Sequence, residues 1–461
     1  MRVLFAAAEV DPFSKVGGLA DVASALPRRL KQLGHDVRVI TPCHASALPA
    51  FHKASSLRTI GVNGPDGIRT TKVATVKGAG DVPVDLVLDS HNFGRSAVYG
   101  EPDDFSRYQF FCRAVIADLT ENPWVPDVLH LNDWHTAPLA FALRNIAWSH
   151  PVLRGTASVF TIHNLRYRGP DDLNDLLCQA IYDSDMVTTV SPTYAKEILT
   201  SEHGEGLDDL LRLRASRGAL LGILNGLDFD LYDPRTDPSI PRKFDLSTLP
   251  YRLENRAALR LKLGLPETRG PILAMVTRLA EQKGIDLALE CLPAFMAADG
   301  QLVVLGDGDE ALSSELLRLQ TAHPGQVRFV TGFDDALARL IYAGSDIFLM
   351  PSRYEPCGLG QLMAMRFGSV PIGRRTGGIA DTVLDATDNG DHATGFLFDE
   401  FSSFGLSAAF ERALLAFRNP TAWQRLQTNG MSRDHSWRAS ANLYIDAYSR
   451  ALRTRGVVVP N

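Results

Sequence analysis

Short apolar runs alternate along this chain with longer stretches in which apolar residues recur every three or four positions. In the first half the runs Arg2–Ala8, Asp36–Thr41, Val84–Asp89, Asp127–Asn132, Ala157–His163 and Met186–Ser191 predict strands. Stretches such as Leu19–Leu33 and Thr136–Ala147 predict amphipathic helices between them. The rhythm pauses in a polar, proline-bearing stretch from Tyr232 to Pro250, read as a linker near 235–250, and then restarts. A helix over "RLENRAALRLKLGL" is followed by strands at Ile272–Arg278, Gln301–Gly306, Val327–Gly332 and Asp346–Ser352. Nearly continuous apolar strands alternating with helices predict parallel sheets covered on both faces. The expectation is therefore α/β, with two doubly wound domains, 1–240 and 241–436. The tail, 437–461, reads as a helix with apolar positions Leu443, Ile445, Tyr448 and Leu452, packing back on the first domain. In such folds ligands collect at the carboxyl ends of the strands, and two facing domains predict a cleft.

Composition narrows the choice of partner. At 461 residues the chain exceeds one ordinary core, and its net charge of -6 argues against a nucleic-acid or anionic-membrane partner. It leaves room for a small anionic ligand in a locally basic pocket. The five cysteines, Cys43, Cys112, Cys178, Cys291 and Cys357, form no CxxC pair, so neither a disulfide framework nor structural zinc is expected. The first apolar run is too short to span a membrane, and the reading is cytoplasmic, or plastidic after removal of a transit peptide.

Several strand ends carry candidate chemistry. "SKVGGLADV" sets Lys15 before Gly17 and Gly18, yet it matches neither the dinucleotide fingerprint nor the P-loop. "TRLAEQKGIDL" places Arg278 and Lys283 in one strand-to-helix loop, where two cations and helix N–H groups suit an anion. "PSRYEPCGLGQLMAM" offers Glu355, either to sugar hydroxyls or as a helix cap, and Cys357 as a ligand-side or merely buried residue. "RRTGGIADT" adds a turn at Thr376 and Gly377 that opens a helix. In the first half, "LNDWHTAP" and "TIHNLRYRG" put Asp133, Trp134, His135 and His163 at strand ends. Each histidine taken alone is more often structural than catalytic. No helical His pair or carboxylate pair completes a metal site.

Taken in order, "KVGGLADV", "TIHNLRYRG", "TTVSPTYAKEI", "GILNGLD", "TRLAEQKGIDL", "PSRYEPCGLGQLMAM" and "RRTGGIADTV" resemble the motifs of bacterial glycogen synthases and plant starch synthases. The resemblance implies a GT-B glycosyltransferase with two Rossmann-like domains. It implies retaining transfer of glucose from a nucleotide-glucose, usually ADP-glucose, to the non-reducing end of an α-1,4-glucan, without metal or other cofactor. By motif, it puts Lys15, the Gly17–Gly18 turn and Asp21 at the donor, with Arg278 and Lys283 on its diphosphate. His163 and Asn225 line the glucose, the His163 carbonyl facing the anomeric carbon. Glu355 and the turn Cys357, Gly358, Leu359 hold glucose hydroxyls and phosphate, beside Thr376 and Gly377, and Phe333 stacks on the adenine. Tyr99, Asp133, Trp134 and His135 fall on the acceptor side.

Two departures from the family pattern stand out. Gly360 occupies the position of a usual threonine. The segment after "TIHNLRYRG", near 168–180, lacks an "NFLKAGI"-like run, and Ser96–Ala114 is shortened, so acceptor preference is the open quantity. Met363 stands where sucrose-synthase-type relatives carry a second glutamate. The other readings are a glucan-binding regulatory homologue, and the same transferase using UDP-glucose or a short acceptor.

Overall fold

The computed structural model describes residues 1–65, 67–146, 150–169 and 175–457. The chain forms two units. One contains Met1–Gly226 together with the C-terminal stretch from Trp437, and the other is Leu227–Ser436.

The first unit is built on a nine-stranded sheet. Its strands are β1 (Arg2–Ala6), β2 (Asp36–Pro42), β3 (Ser56–Gly64), β4 (Gly67–Lys77), β5 (Pro83–Leu88), β6 (Val128–Asn132), β7 (Ala157–Ile162), β8 (Met186–Thr189) and β9 (Leu220–Gly222). They lie in the order β3-β4-β5-β2-β1-β6-β7-β8-β9. Pairing is parallel from β5 through β9, and β3 and β4 are antiparallel. The run of strands reverses direction between β1 and β6, which makes that gap the switch point of the sheet. All five residues of β6 are buried, as parallel strands covered on two faces must be.

The C-terminal helix, Trp437–Thr454, completes one face of this sheet. Trp437, Ala441, Tyr444, Tyr448, Ala451 and Leu452 join the cluster that includes Val3, Phe5 and Val159. Their spacing of three and four residues defines the buried stripe. Leu443, predicted to be an apolar anchor, lies on the other face and is 52% exposed. Tyr448 reaches inward instead: its hydroxyl lies 2.7 Å from His130 Nδ1, and His130 Nε2 is 2.7 Å from Thr161 Oγ1. The tail thereby ties together β6 and β7 through satisfied buried polar groups.

The second unit holds a six-stranded, wholly parallel sheet: β10 (Ile272–Val276), β11 (Gln301–Gly306), β12 (Val327–Thr331), β13 (Ile347–Met350), β14 (Val370–Arg374) and β15 (Phe396–Phe398). Its order is β12-β11-β10-β13-β14-β15, with the switch point between β10 and β13.

The structure divides at Gly226 rather than near 240, and the expected linker is core. Tyr232, Ile240, Phe244 and Leu249 are buried in one cluster with Leu259, Ile272 and Phe348. Arg339 fastens the segment, lying 4.0 Å from the Tyr232 ring centroid and 3.1 Å from Asp237. Its polar and proline content hides aromatic anchors spaced too widely to show a period.

The polar hairpin β3–β4 escaped sequence reading for a related reason. Only Ile60 and Val62 of β3 are buried, so the run shows little apolar alternation. Ala147, the predicted end of one helix, lies outside the described residues, as do residues 170–174 of the shortened segment.

Candidate active site

At the switch point of the second sheet, two loops meet. The loop after β10 carries Arg278 and Lys283, and the loop after β13 carries Ser352 and Glu355. Lys283 Nζ lies 2.7 Å from Glu355 Oε2, and Ser352 Oγ donates to the same oxygen at 3.0 Å. The two charged side chains are only 17% and 7% exposed, a depth at which either charge alone would be costly. The backbone knits the loops further, through Arg353 N donating to Gln282 O at 2.8 Å.

The Thr376–Gly377 turn closes on the same loop. Gly377 has φ +43°, and a Cβ there would run into the Glu355 carbonyl oxygen, so glycine is required on two counts. Gly378 N donates to that carbonyl at 3.1 Å. A cavity of about 90 Å³ lies among Thr277, Lys283, Ser352, Glu355, Gly358 and Gly360. Cys357 and Thr376 are buried, Leu359 is half-buried, and Arg278 is exposed. Phe333, two residues past β12, is 71% exposed. Its ring is open to solvent, as are those of Phe141 and Phe404.

Gly360 has a spatial reason. A Cβ at this position would sit 2.9 Å from Phe348 Cε1 and 3.5 Å from Met350 Sδ. Two large side chains of β13 thus occupy the room that a threonine would need.

The first unit gathers a different set of groups at its own switch point. Asp133 follows β6 with φ +55°, a conformation costly for a residue with a Cβ. It is held by Asp133 N donating to Thr161 O at 3.0 Å and by its carboxylate accepting from His163 N at 2.8 Å. His163 Nε2 lies 2.9 Å from Asn132 Oδ1, so this nitrogen carries the proton. Asn132 in turn donates to Ala6 O at the end of β1, at 2.9 Å. Burial pushes the His163 imidazole down to about 3 and the Asp133 carboxyl up to about 7, the latter against hydrogen bonds from His163 and Asn164. The imidazole is therefore neutral, a hydrogen-bonding rather than an ionic group.

The glycine turn sits beside them. Glu9, just past β1, accepts from Val16 N and, at 3.1 Å, from Gly17 N. Burial raises its carboxyl to about 7, with Asp21 and Asp133 adding repulsion. Lys15 Nζ pairs with Asp21 at 2.6 Å, and Gly18 begins the helix Gly18–Gln32. Tyr99 is half-buried, its ring 5.1 Å from that of His135. Trp134 and His135 are both 5% exposed and stack at 4.1 Å. Gly169 backs onto the Trp134 ring. These two rings face the interior of the unit, beneath Tyr99 and Gly169, rather than its surface. Asn225 is buried beyond β9, with Oδ1 lacking a partner among the described residues.

Sequence reading passed over Glu9, Asn132 and Ser352. Glu9 had a signal, a lone carboxylate closing the apolar run "VLFAAAEV". Asn132 had none, because only the parallel strand order brings it to Ala6 and His163. Ser352 lies three residues before Glu355, but nothing in that spacing marks its hydroxyl as a partner.

Comparisons with known proteins bear on the family and the fold. Residues 2–213 match a family described as the starch synthase catalytic domain, and residues 256–425 match glycosyl transferases group 1. A glycogen synthase of Syntrophotalea carbinolica is 42% identical, covering 98% of this chain and 99% of its own. The chain belongs to the glycogen and starch synthase family. A glycogen synthase of Geobacillus stearothermophilus is 40% identical over 98% of both chains. The catalytic domain of starch synthase IV from Arabidopsis thaliana, solved bound to ADP and acarbose, superposes with a TM-score of 0.88. It is 33% identical and covers 98% of this chain and 99% of its own. Sucrose-phosphate synthase from Thermosynechococcus elongatus, 20% identical over 98% of this chain and 99% of its own with a TM-score of 0.65, shares the fold. The fold is GT-B, and this member of the family is a glucosyltransferase.

Proposed function

We propose that this chain transfers glucose from ADP-glucose, with retention of configuration, to the non-reducing end of an α-1,4-glucan. The observation that carries the reading is the Lys283–Glu355 pair at the second switch point, with Ser352 on the same carboxylate oxygen. There a cation is held in place beside a small cavity, ready to serve an anion. Lys283 and Arg278 take the donor diphosphate, on which negative charge grows as the bond from the anomeric carbon to the phosphate oxygen breaks. Positive groups fixed at that point stabilise the transition state more than the ground state. Glu355 holds sugar hydroxyls while keeping Lys283 oriented, and the turn at Cys357, Gly358 and Leu359, with Thr376 and Gly377, receives phosphate and sugar. Phe333 stacks on the adenine, a role that rests on its place in the motif and that its exposed ring permits.

In the first unit, Lys15, Gly17, Gly18 and Asp21 serve the donor, and His163 and Asn225 meet the glucose. These roles rest on the motif match and on the local order that Glu9 and Asp133 impose. The acceptor hydroxyl attacks the anomeric carbon on the face the phosphate leaves, and the departing phosphate oxygen takes its proton. This scheme needs no dedicated base and no cofactor beyond the donor substrate. Tyr99 and Asp133, with Trp134 and His135 behind them, belong to the acceptor side. ADP and acarbose in the Arabidopsis structure support both the donor base and an oligosaccharide acceptor.

Competition between ADP-glucose and UDP-glucose on one glucan tests the reading directly. Preference for ADP-glucose is expected. A clear preference for UDP-glucose would remove the adenine role of Phe333, and no transfer from either donor would leave a glucan-binding homologue.

A further inference from the structure

The first unit carries a second polar cavity at the opposite end of its sheet. It has a volume of about 350 Å³ and lies beside Asp185, the residue that precedes β8. Asp133 and His163 sit instead at the carboxyl ends of β6 and β7, so the cavity is separate from the site described above.

Four guanidinium groups line it: Arg144, Arg214, Arg217 and Arg455. They come from three places in the chain, namely the helix Pro138–Ile146, the end of the helix Asp208–Ser216, and the residue after the C-terminal helix. Two carboxylates answer them. Arg144 pairs with Asp183 at 3.0 Å and Arg455 with Asp185 at 2.8 Å. Asp185 is further occupied, its Oδ2 accepting from Ser158 N at 2.8 Å and Ser158 Oγ at 3.1 Å. Arg214 and Arg217 have no carboxylate within ion-pair distance among the described residues. Arg214 is 9% exposed and its Nη2 donates only to the backbone oxygens of Ser184 and Asp185, leaving Nε without a partner. Ser184, 2% exposed, lines the same cavity with its hydroxyl unpartnered.

A surplus of two positive charges, a buried guanidinium N–H and a buried hydroxyl are what a dianionic oxyanion with several acceptor oxygens would satisfy. We propose that this cavity binds a phosphate dianion, free or as the phosphomonoester of a small metabolite. A phosphate group carries about −1.5 to −2 charges at neutral pH, which matches the surplus. Arginine is suited to the task by its planar fork of donors. Because Arg455 follows the C-terminal helix and Arg214 and Arg217 end another, the ligand would brace the tail against the first unit.

Equilibrium dialysis of the full-length protein with inorganic phosphate and with fructose 6-phosphate, fructose serving as control, tests the proposal. Both phosphate-bearing probes are expected to bind saturably and fructose not at all. Tenfold tighter binding of fructose 6-phosphate than of phosphate would identify a phosphorylated metabolite as the ligand, and equal affinity would identify free phosphate. Arg217→Glu, at an exposed position, is expected to weaken binding at least tenfold while leaving the fold intact. Arg144→Ala is expected to weaken it by a smaller factor. Lys283→Ala, in the other unit, is expected to remove only binding that ADP-glucose competes away and to leave the rest unchanged. Loss of all saturable binding in Lys283→Ala with none lost in Arg217→Glu would overturn the proposal, as would the absence of saturable binding. Neither result bears on the donor reading, which is tested by transfer.

Discussion

The two switch points are built from the same topology and from opposite electrostatics. In the second unit a lysine and a glutamate pair directly, and an exposed arginine stands in the same loop. In the first unit, His163 is neutral and two carboxyls are raised to about 7, so charge is suppressed at the centre and kept at the rim in Lys15 and Asp21. A diphosphate needs fixed positive charge, whereas a sugar needs many directional hydrogen bonds and few net charges. The contrast fits the proposed roles of Lys283 toward the diphosphate and of His163 toward the sugar.

The largest expected effect breaks the charged half. Lys283→Ala removes the cation and leaves Glu355 with Ser352 alone, and transfer is expected to fall about 10²–10³-fold with folding retained. Steady-state kinetics alongside circular dichroism measures both, and near-normal transfer would end the diphosphate assignment. The next tests the suppressed charge of the other half. Glu9 titrates near 7 in the folded unit against an ordinary 4.5, so the folded state keeps a proton that the unfolded chain has lost within that window. Its contribution therefore falls as pH rises from about 4.5 to 7, on the order of 3 kcal/mol in all. Glu9→Gln carries no such proton, and its Tm between pH 5 and pH 7.5 should decline less than that of the native protein. Parallel curves would show that Glu9 does not carry this burden.

Two smaller effects sharpen the comparison. Asp133→Ala leaves the N–H groups of His163 and Asn164 without their acceptor and keeps a Cβ at φ +55°, for an expected loss of about 2 kcal/mol in denaturant unfolding. Unchanged stability would mean that water replaces the carboxylate. Gly360→Thr should cost about 1 kcal/mol by pressing on Phe348, with Phe348→Leu restoring part of it. If the single variant is as stable as the native protein and transfers faster, the packing account of Gly360 is wrong.

Sequence reading recovered most of the parallel core because its strands are buried on both faces and need no alternation, but it passed over β9, β14 and β15, runs of only three to five residues. The ends of β1, β6, β7, β10 and β13 were therefore located closely enough to find Asp133, His163, Lys283 and Glu355. The hairpin β3–β4 and the segment 227–250 were missed where burial is one-sided or anchors are sparse. The tail's helix and most of its buried face were legible, Tyr448 and Leu452 being buried as expected, but Leu443 was taken in place of its neighbour Tyr444, which only packing distinguishes from it. The pairing of Lys283 with Glu355 depends on strand order, and that of Glu9 with Gly17 on how one loop folds back, and local periodicity contains neither. Gly360 is the same lesson at one position: its reason lies in Phe348, twelve residues upstream and on another element.

The C-terminal helix also sets a schedule for making the molecule. Trp437, Tyr444 and Tyr448 fill a core begun by Val3 and Phe5, while Leu227–Ser436 is synthesised in between. A nascent chain leaving the ribosome therefore carries an unfinished first unit, with part of one sheet face bare beside the helix Gly18–Gln32, throughout synthesis of the second. Stop codons that spare the second unit entirely, such as one just after Ser436, should release a chain whose first half never closes. A helix made last, Trp437–Thr454, decides whether the earliest strands have a fold to belong to.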